Sequence, residues 1–327
     1  MKALVTGATG FTGRALAHRL LADGLQVTLP VRRPEACADL AALGAEVVRA
    51  DLRDREALFA AARGAGVVYH VAALYRTAGL PDSAYREVNV EGTRHLLEAA
   101  VAGGAARFVH CSTIGVHGHV ERPPADESAP FAPGDIYQDT KLEAERLALS
   151  FAREGRLAVS VVRPAGIYGP GDLRFLKMFR MIQRRRMVVL GSGRPCLHLV
   201  YIDDLVDGFL LAAARPEAVG EAFIIGGETY LPLNELFALV AAKLGVPPPW
   251  LHVPIWPVWL LGALVEAACR PFGVEPPLYR RRVDFFKKSR AFSIDKARRL
   301  LGYSPRVGLS EGLDRTIAWY RQQGLLA

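Results

Sequence analysis

A chain of 327 residues, 51% hydrophobic and 23% charged, can bury a sizeable core as one large or two modest domains and is excluded from the disordered class. Its net charge of +8 would suit an anionic ligand or surface, but the arginines are scattered, with clusters only at 184–186 and 280–288. No nucleic-acid motif accompanies them, so no nucleic-acid partner is expected.

The apolar run Ala3, Leu4, Val5 reads as a buried strand, and Leu16, Ala17, Leu20 and Leu21 recur at helical spacing. Between them stands Thr6-Gly7-Ala8-Thr9-Gly10-Phe11-Thr12-Gly13. A helix start gathers unpaired N–H groups and a partial positive charge. Glycines at 7, 10 and 13 remove the side chains that would keep a diphosphate from those groups, and Gly13 lets the helix approach the strand. The turn therefore reads as a dinucleotide site, with G-x-x-G-x-x-G in place of G-x-G-x-x-G.

Further strands are expected over 26–31, 45–50, 66–71, 107–111 and 157–163, with helices over 34–43, 82–102 and 135–153. Solid apolar strands joined by helices predict an α/β fold, a doubly wound parallel sheet covered on both faces. From Pro164 the rhythm breaks at Gly166, Gly169, Pro170 and Gly171, a loop leaving the sheet. The expected organisation is a dinucleotide-binding domain over 1–165 with a return segment at 196–228. A smaller, mainly helical substrate lobe takes 166–195 and 229–327, with helices near 173–185, 234–244, 256–269, 294–301 and 310–322 and a strand at 187–190.

Four cysteines (Cys37, Cys111, Cys196, Cys269) show neither metal-ligand nor redox spacing, so no metal site is expected and a reducing cytoplasm is. No signal peptide is expected before a strand that starts at residue 2. The longest apolar stretch, 253–265, falls short of the ~20 residues a membrane span needs.

The second strand ends Val31-Arg32-Arg33, with no acid to accept ribose hydroxyls. A guanidinium there matches a 2′-phosphate, so NADP(H) is expected over NAD, with Arg32 favoured over Arg33 as the contact. Tyr137 and Lys141, four apart on a predicted helix, share one face. A phenol with a pKa of about 10 must be drawn down several units to work near neutrality, and a neighbouring ammonium acts in that direction. His70, inside an apolar strand, reads as a core histidine.

The glycine turn resembles that of the extended short-chain dehydrogenase/reductases, in the NAD-dependent epimerase/dehydratase superfamily, and several further segments resemble that family too. They are Tyr69-His70-Val71-Ala72-Ala73, Asn89-Val90-Glu91-Gly92-Thr93, the run from Cys111 to Gly118, Tyr137-Gln138-Asp139-Thr140-Lys141, and the run from Arg163 to Asp172. The resemblance covers nearly the whole chain and implies a Rossmann sheet and an oxidoreductase. It implies Thr113, Tyr137 and Lys141 as catalytic residues, with Ser112 the alternative to Thr113. At the cofactor it implies Gly7, Thr9, Gly10, Phe11, Thr12 and Gly13 of the turn, then Arg32, Asp51 and Leu52. Ala72, Ala73, Pro164 and Ile167 join them beside Tyr137 and Lys141. On spacing alone, Asp51 serves equally as a cap for the next helix. Asn89 is implied to brace the active-site backbone or relay protons, and the family suggests a homodimer through two sheet helices.

On the substrate side the expected residues are Tyr75, His117, Tyr168, Leu197 and His198. Nucleotide-sugar members of the family usually carry an arginine where Leu197 stands, whereas the 3β-hydroxysteroid and sterol dehydrogenase branch is similar to this chain in having an apolar residue and a histidine; Arg194, or the arginines at 184–186, leave another direction from which a diphosphate could be held. Trp250, Ile255, Trp256, Val258, Trp259, Leu260 and Leu261 offer apolar surface for an apolar ligand, for the lobe's own core, or for peripheral contact with a membrane. The expected activity is NADP(H)-dependent interconversion of a secondary alcohol and a ketone on an apolar, sterol-like substrate. A nucleotide-sugar epimerase or dehydratase and a non-catalytic NADP-binding regulator are the alternatives.

Overall fold

The structure is a computed structural model that describes residues 1–77, 79–269 and 285–327. β1 (Lys2–Thr6), β2 (Gln26–Val31), β3 (Glu46–Arg49), β4 (Val67–His70), β5 (Arg107–Cys111) and β6 (Val159–Pro164) join β10 (Ala222–Ile225) in one sheet of order β10-β6-β5-β4-β1-β2-β3. Every pairing in it is parallel. Strands β4, β6 and β10 are buried along their whole length, because helices cover both faces. On one face α1 (Phe11–Ala22) and α8 (Ile202–Ala214) bring Leu16, Leu20, Leu205 and Phe209 into the core. On the other, α3 (Arg55–Ala62), α5 (Gly92–Ala102) and α6 (Ile136–Arg153) contribute Leu58, Leu96, Leu97, Ala148 and Phe151. The chain winds outward from β1 through β2 and β3, then crosses back to β4. The carboxyl ends of β1 and β4 therefore flank the switch point, where an open α/β sheet leaves a crevice.

Several elements differ from their sequence reading. The expected helix 34–43 is a 3₁₀ turn (Pro34–Cys37) followed by α2 (Ala38–Ala42). Helix α3 has no counterpart in the reading. It starts at Asp54, whose side chain accepts from the Ala57 N–H at 3.0 Å. The helix expected over 82–102 is α4 (Asp82–Arg86), a π-helical turn (Glu87–Glu91) and then α5, and the wide turn turns Asn89 inward.

The smaller lobe holds β7 (Gly166–Tyr168), α7 (Leu176–Gln183), β8 (Val189–Leu190), β9 (Cys196–Tyr201), β11 (Tyr230–Pro232), α9 (Leu233–Lys243), β12 (His252–Val253) and α10 (Ile255–Cys269). The return to the large sheet is narrower than 196–228: β9 pairs with β7 and β11 in a separate sheet, and only α8 and β10 rejoin. Strand β7 occupies part of the expected loop. Of the closing helices, α12 (Leu309–Gln322) packs in the lobe through Leu313, Ile317 and Tyr320. By contrast α11 (Asp295–Leu301) inserts Ala297 and Leu301 into the large sheet's core, so 229–327 is shared between the two. Residues 280–284 of the basic run lie outside the described residues, as does the Cys269 side chain.

Candidate active site

The glycine turn follows β1 into the switch point because its geometry admits nothing larger. Gly7 has φ +81°, and a Cβ there would lie 2.9 Å from the Ala72 nitrogen. A Cβ on Gly13 would lie 2.4 Å from the Gly7 carbonyl oxygen, which already accepts from the Gly10 N–H at 2.9 Å. Gly10 starts α1 with no side-chain cap, and no acid stands in the first turn. The orphan N–H groups are thus left to a ligand. Around this start lies a cleft of about 430 Å³, to which all the turn residues from Gly7 to Gly13 except Ala8 contribute. Arg32, Asp51 and Leu52 line its far end, and Ala72, Ala73 and Tyr75 the side toward β4. A glycine cradle on an uncapped helix start, with a guanidinium beyond it, fits a dinucleotide.

Arg33 instead begins the 3₁₀ turn and does not line the cleft. Asp51 is not the helix cap, a role Asp54 fills; both its oxygens accept from the Arg53 guanidinium at 2.9 and 3.0 Å, which holds the carboxyl below its ordinary range. Pro164 and Ile167 also fall away from the cleft. Pro164 closes a fully buried strand, and Ile167 packs into the two cores. Arg174 was not anticipated: it lines the cleft 5.6 Å above the Phe11 ring, held by Asp172 Oδ1 at 2.6 Å and the Ile167 carbonyl at 2.8 Å. Its sequence signal, an arginine just past Gly171-Asp172, acquires meaning only when β7 brings it back to α1.

Behind the cleft, His70 sits among polar partners. The Thr6 hydroxyl accepts from the Val71 and Ala72 N–H groups, both at 3.1 Å, so its own proton goes to His70 Nδ1 at 2.9 Å. His70 Nε2 then donates to Thr93 Oγ1 at 2.8 Å, and Thr93 donates to the Asn89 carbonyl at 2.6 Å. Asn89 carries the link onward. Its Oδ1 accepts from the Leu74 N–H at 2.6 Å, and its Nδ2 donates to Thr140 Oγ1 at 3.0 Å, on the helix of Tyr137 and Lys141. The wall of the cleft and the helix of Tyr137 and Lys141 are thereby tied through one asparagine.

This network has a pH signature. Burial lowers the His70 pKa from 6.5 to about 3, with the Lys141 charge acting in the same sense. Between those values the unfolded chain binds a proton that the native state refuses. Stability is therefore full above pH 6.5 and falls as the pH drops toward 3. Burial acts likewise on His110, His117 and His198. Urea unfolding at stepped pH should show this decline, and His70→Gln should flatten it by about one proton, roughly 1.4 kcal/mol per pH unit; an unchanged slope would place the titration elsewhere.

Tyr137 and Lys141 project from the first turns of α6, which Asp135 caps by accepting from the Gln138 N–H at 2.9 Å. Both interact electrostatically with Cys111, so they converge on the carboxyl end of β5. Burial pushes the Tyr137 phenol above its ordinary range and the buried Lys141 ammonium below its own. Thr113 follows Cys111 by two residues. Its Oγ1 accepts from the Gly115 N–H at 3.0 Å and keeps its proton to donate. The neighbouring Ser112 hydroxyl is buried away from solvent and has no hydrogen-bond partner among the described residues. Tyr75 joins the cleft to this end, its ring edge-on to Tyr137 at 4.9 Å. Arg76, unsuspected from the sequence, lies 5.6 Å from the Tyr137 ring centre, bonded to Asp135 Oδ2 at 2.9 Å, and its charge favours the phenolate.

Three expected substrate residues are structural instead. His117 Nδ1 donates to the Ala129 carbonyl at 2.9 Å and its Nε2 accepts from Arg163 at 3.0 Å, so neither nitrogen is left for a ligand. That arginine is itself locked to Glu145 in a buried pair. His198 Nε2 donates to the Gly227 carbonyl at 2.9 Å while its ring covers Gly226. Tyr168 lies buried in the lobe core against Tyr201 and Gly312. Leu197 is half-buried on β9 and packs onto that same core.

Comparison with known proteins agrees with this arrangement. Residues 3–226 match the NAD dependent epimerase/dehydratase family. The 2-alkyl-3-oxoalkanoate reductase of Stenotrophomonas maltophilia is 32% identical across 96% of this chain and 98% of its own. The 3 beta-hydroxysteroid dehydrogenase/Delta 5-->4-isomerase of Mycobacterium tuberculosis is 32% identical across 98% of this chain and 90% of its own. The solved structure of MoeE5 in complex with UDP-glucuronic acid and NAD superposes with a TM-score of 0.78 at 28% identity, covering 99% of this chain and 100% of that one.

Proposed function

The chain belongs to the NAD dependent epimerase/dehydratase family of short-chain dehydrogenases/reductases and is an NAD(P)-dependent oxidoreductase; from that premise we propose that it interconverts a secondary alcohol and a ketone on an apolar, sterol-like substrate, using NADP(H). Leu197 carries the reading of the substrate. Where nucleotide-sugar members hold a diphosphate with arginine, this chain has a half-buried leucine, which offers a phosphate no partner and makes its desolvation costly. The names of the similar reductase and hydroxysteroid dehydrogenase support the same class. Arg32 at the far end of the cleft supports NADP(H).

When bound, the nicotinamide supplies or accepts the hydride. Thr113 donates a hydrogen bond from its hydroxyl to the substrate oxygen and holds the reacting carbon in place. Tyr137, kept protonated by burial, gives its proton to that oxygen in reduction and takes it back in oxidation. Lys141, four residues on, favours the phenolate form whenever it is charged.

The test is spectrophotometric turnover of a 3-ketosterol and a 2-alkyl-3-oxo acid with each reduced cofactor. Turnover should favour NADPH. Arg32→Gln should raise the NADPH KM about 10- to 100-fold, the loss of one charge-assisted hydrogen bond, and leave that for NADH unchanged. Absence of turnover across the panel, with NAD retained tightly through purification, would instead favour the nucleotide-sugar epimerase reading.

A further inference from the structure

Helix α10 begins IWPVWLLGALV and carries no charge before Glu266. A helix apolar on every side belongs in a core, yet between residues 255 and 265 only Gly262 is buried. Trp256 is 71% exposed and Leu264 61%, and Trp250, shortly before the helix, is 82% exposed. Leu260 and Leu261 are exposed beside them. Neighbouring exposed apolar side chains of this kind mark an interaction surface.

Its surroundings identify what covers it. Strand β8 runs parallel to β12 with Val189 opposite His252, so the segment entering β8 lies alongside Trp250. Met187 stands opposite Trp250 in that register and is directly preceded by Arg184, Arg185 and Arg186, all exposed; among the described residues no carboxylate forms an ion pair with them, although Arg184 also lines a cleft with the C-terminal residues Gly324 to Ala327. Three unpaired cations at the edge of a tryptophan- and leucine-covered face complement an anionic, apolar-cored surface. Such arginines are drawn toward an anionic leaflet, and tryptophan favours the headgroup level. Fifteen residues rise only about 22 Å, against a hydrocarbon thickness of about 30 Å, and no helix among the described residues is long and apolar enough to cross a membrane. A helix of this length suits a position in the plane of a bilayer and not across it.

We propose that α10, with Trp250 and the arginines at 184–186, seats this protein on the surface of an anionic lipid bilayer. The proposal holds whatever the substrate is, because the contact is read without turnover.

Three of the four tryptophans lie in this surface, which makes the test direct. The full chain is mixed with phosphatidylcholine vesicles, either neutral or containing about 30% phosphatidylglycerol, and binding is followed by flotation and tryptophan emission. With the anionic vesicles the protein should float and its emission shift to the blue, and binding to neutral vesicles should be at least about tenfold weaker. The double variant Leu261→Glu and Leu264→Glu should lose binding by at least about tenfold while still binding dinucleotide. Replacing Arg184, Arg185 and Arg186 by glutamine should remove the preference for anionic lipid and leave the fold intact. Three results would each overturn the proposal: absence of binding to either vesicle, binding indifferent to the leucine variants, or a dimer in sedimentation that shifts tryptophan emission without lipid and is dispersed by those variants.

Discussion

Tyr137→Phe is expected to lower kcat by about 100- to 10,000-fold, equivalent to roughly 3–5 kcal/mol of barrier, because a general acid and base is removed from the reacting oxygen. The thermal midpoint should hardly move. Among the described residues the phenol oxygen has no hydrogen-bond partner, so its removal leaves no buried group unsatisfied. Dinucleotide binding should likewise persist, since the diphosphate cradle lies on α1 and not on α6. The remaining ring keeps its edge contact with Tyr75, which preserves the shape of the site. A loss smaller than tenfold, with the substrate established, would move the proton-transfer role to another hydroxyl, with Ser112 and Thr113 the nearest to β5's end.

Gly13→Ala is expected to abolish dinucleotide binding and to destabilise the fold. Its new methyl would stand 2.4 Å from the Gly7 carbonyl oxygen and 2.5 Å from its carbon, both backbone atoms. Gly7 is itself confined, since it sits at φ +81° and even a Cβ on it would lie 2.9 Å from the Ala72 nitrogen, which Thr6 holds by a hydrogen bond. The strain falls on the β1–α1 contact and costs about 1–3 kcal/mol of stability as overpacking does. Affinity falls by at least about 100-fold once two N–H contacts to the diphosphate are lost, at about 1.5–3 kcal/mol each. Gly10→Ala is the control: its methyl meets the same carbonyl at 3.4 Å, an ordinary contact, so the fold should survive. Calorimetry and dinucleotide titration measure both. Wild-type affinity in Gly13→Ala would contradict the account of the turn.

What was legible in the sequence was whatever depends on neighbours along the chain. The glycine turn, the strands from β1 to β6 and the Tyr137–Lys141 pair are local patterns, and each lies within a residue or two of its reading. Helix α3 was missed because its short apolar pattern gives little periodic signal, and the crossover from β3 to β4 supplies the reason for it. The π-turn at Asn89 was invisible, since a helical pattern does not announce one extra residue. His117 and His198 misled for a related reason. A histidine at a motif position looks like a ligand contact until the Ala129 carbonyl and Arg163 are seen to occupy both nitrogens of His117, and the Gly227 carbonyl the Nε2 of His198, whose ring is buried over Gly226.

The sequence by itself determined the cofactor half of this protein, because a diphosphate site is made from backbone N–H groups and needs only glycines at fixed spacing before a helix. Tertiary structure alone decided the rest. Arg76 and Arg174 acquire roles through segments far apart in the chain, β9 leaves the large sheet for the lobe, and α10 is shown to be surface and not core. Each of these turns on what packs against a side chain, and an apolar helix has one sequence pattern whether its surroundings are protein, water or lipid.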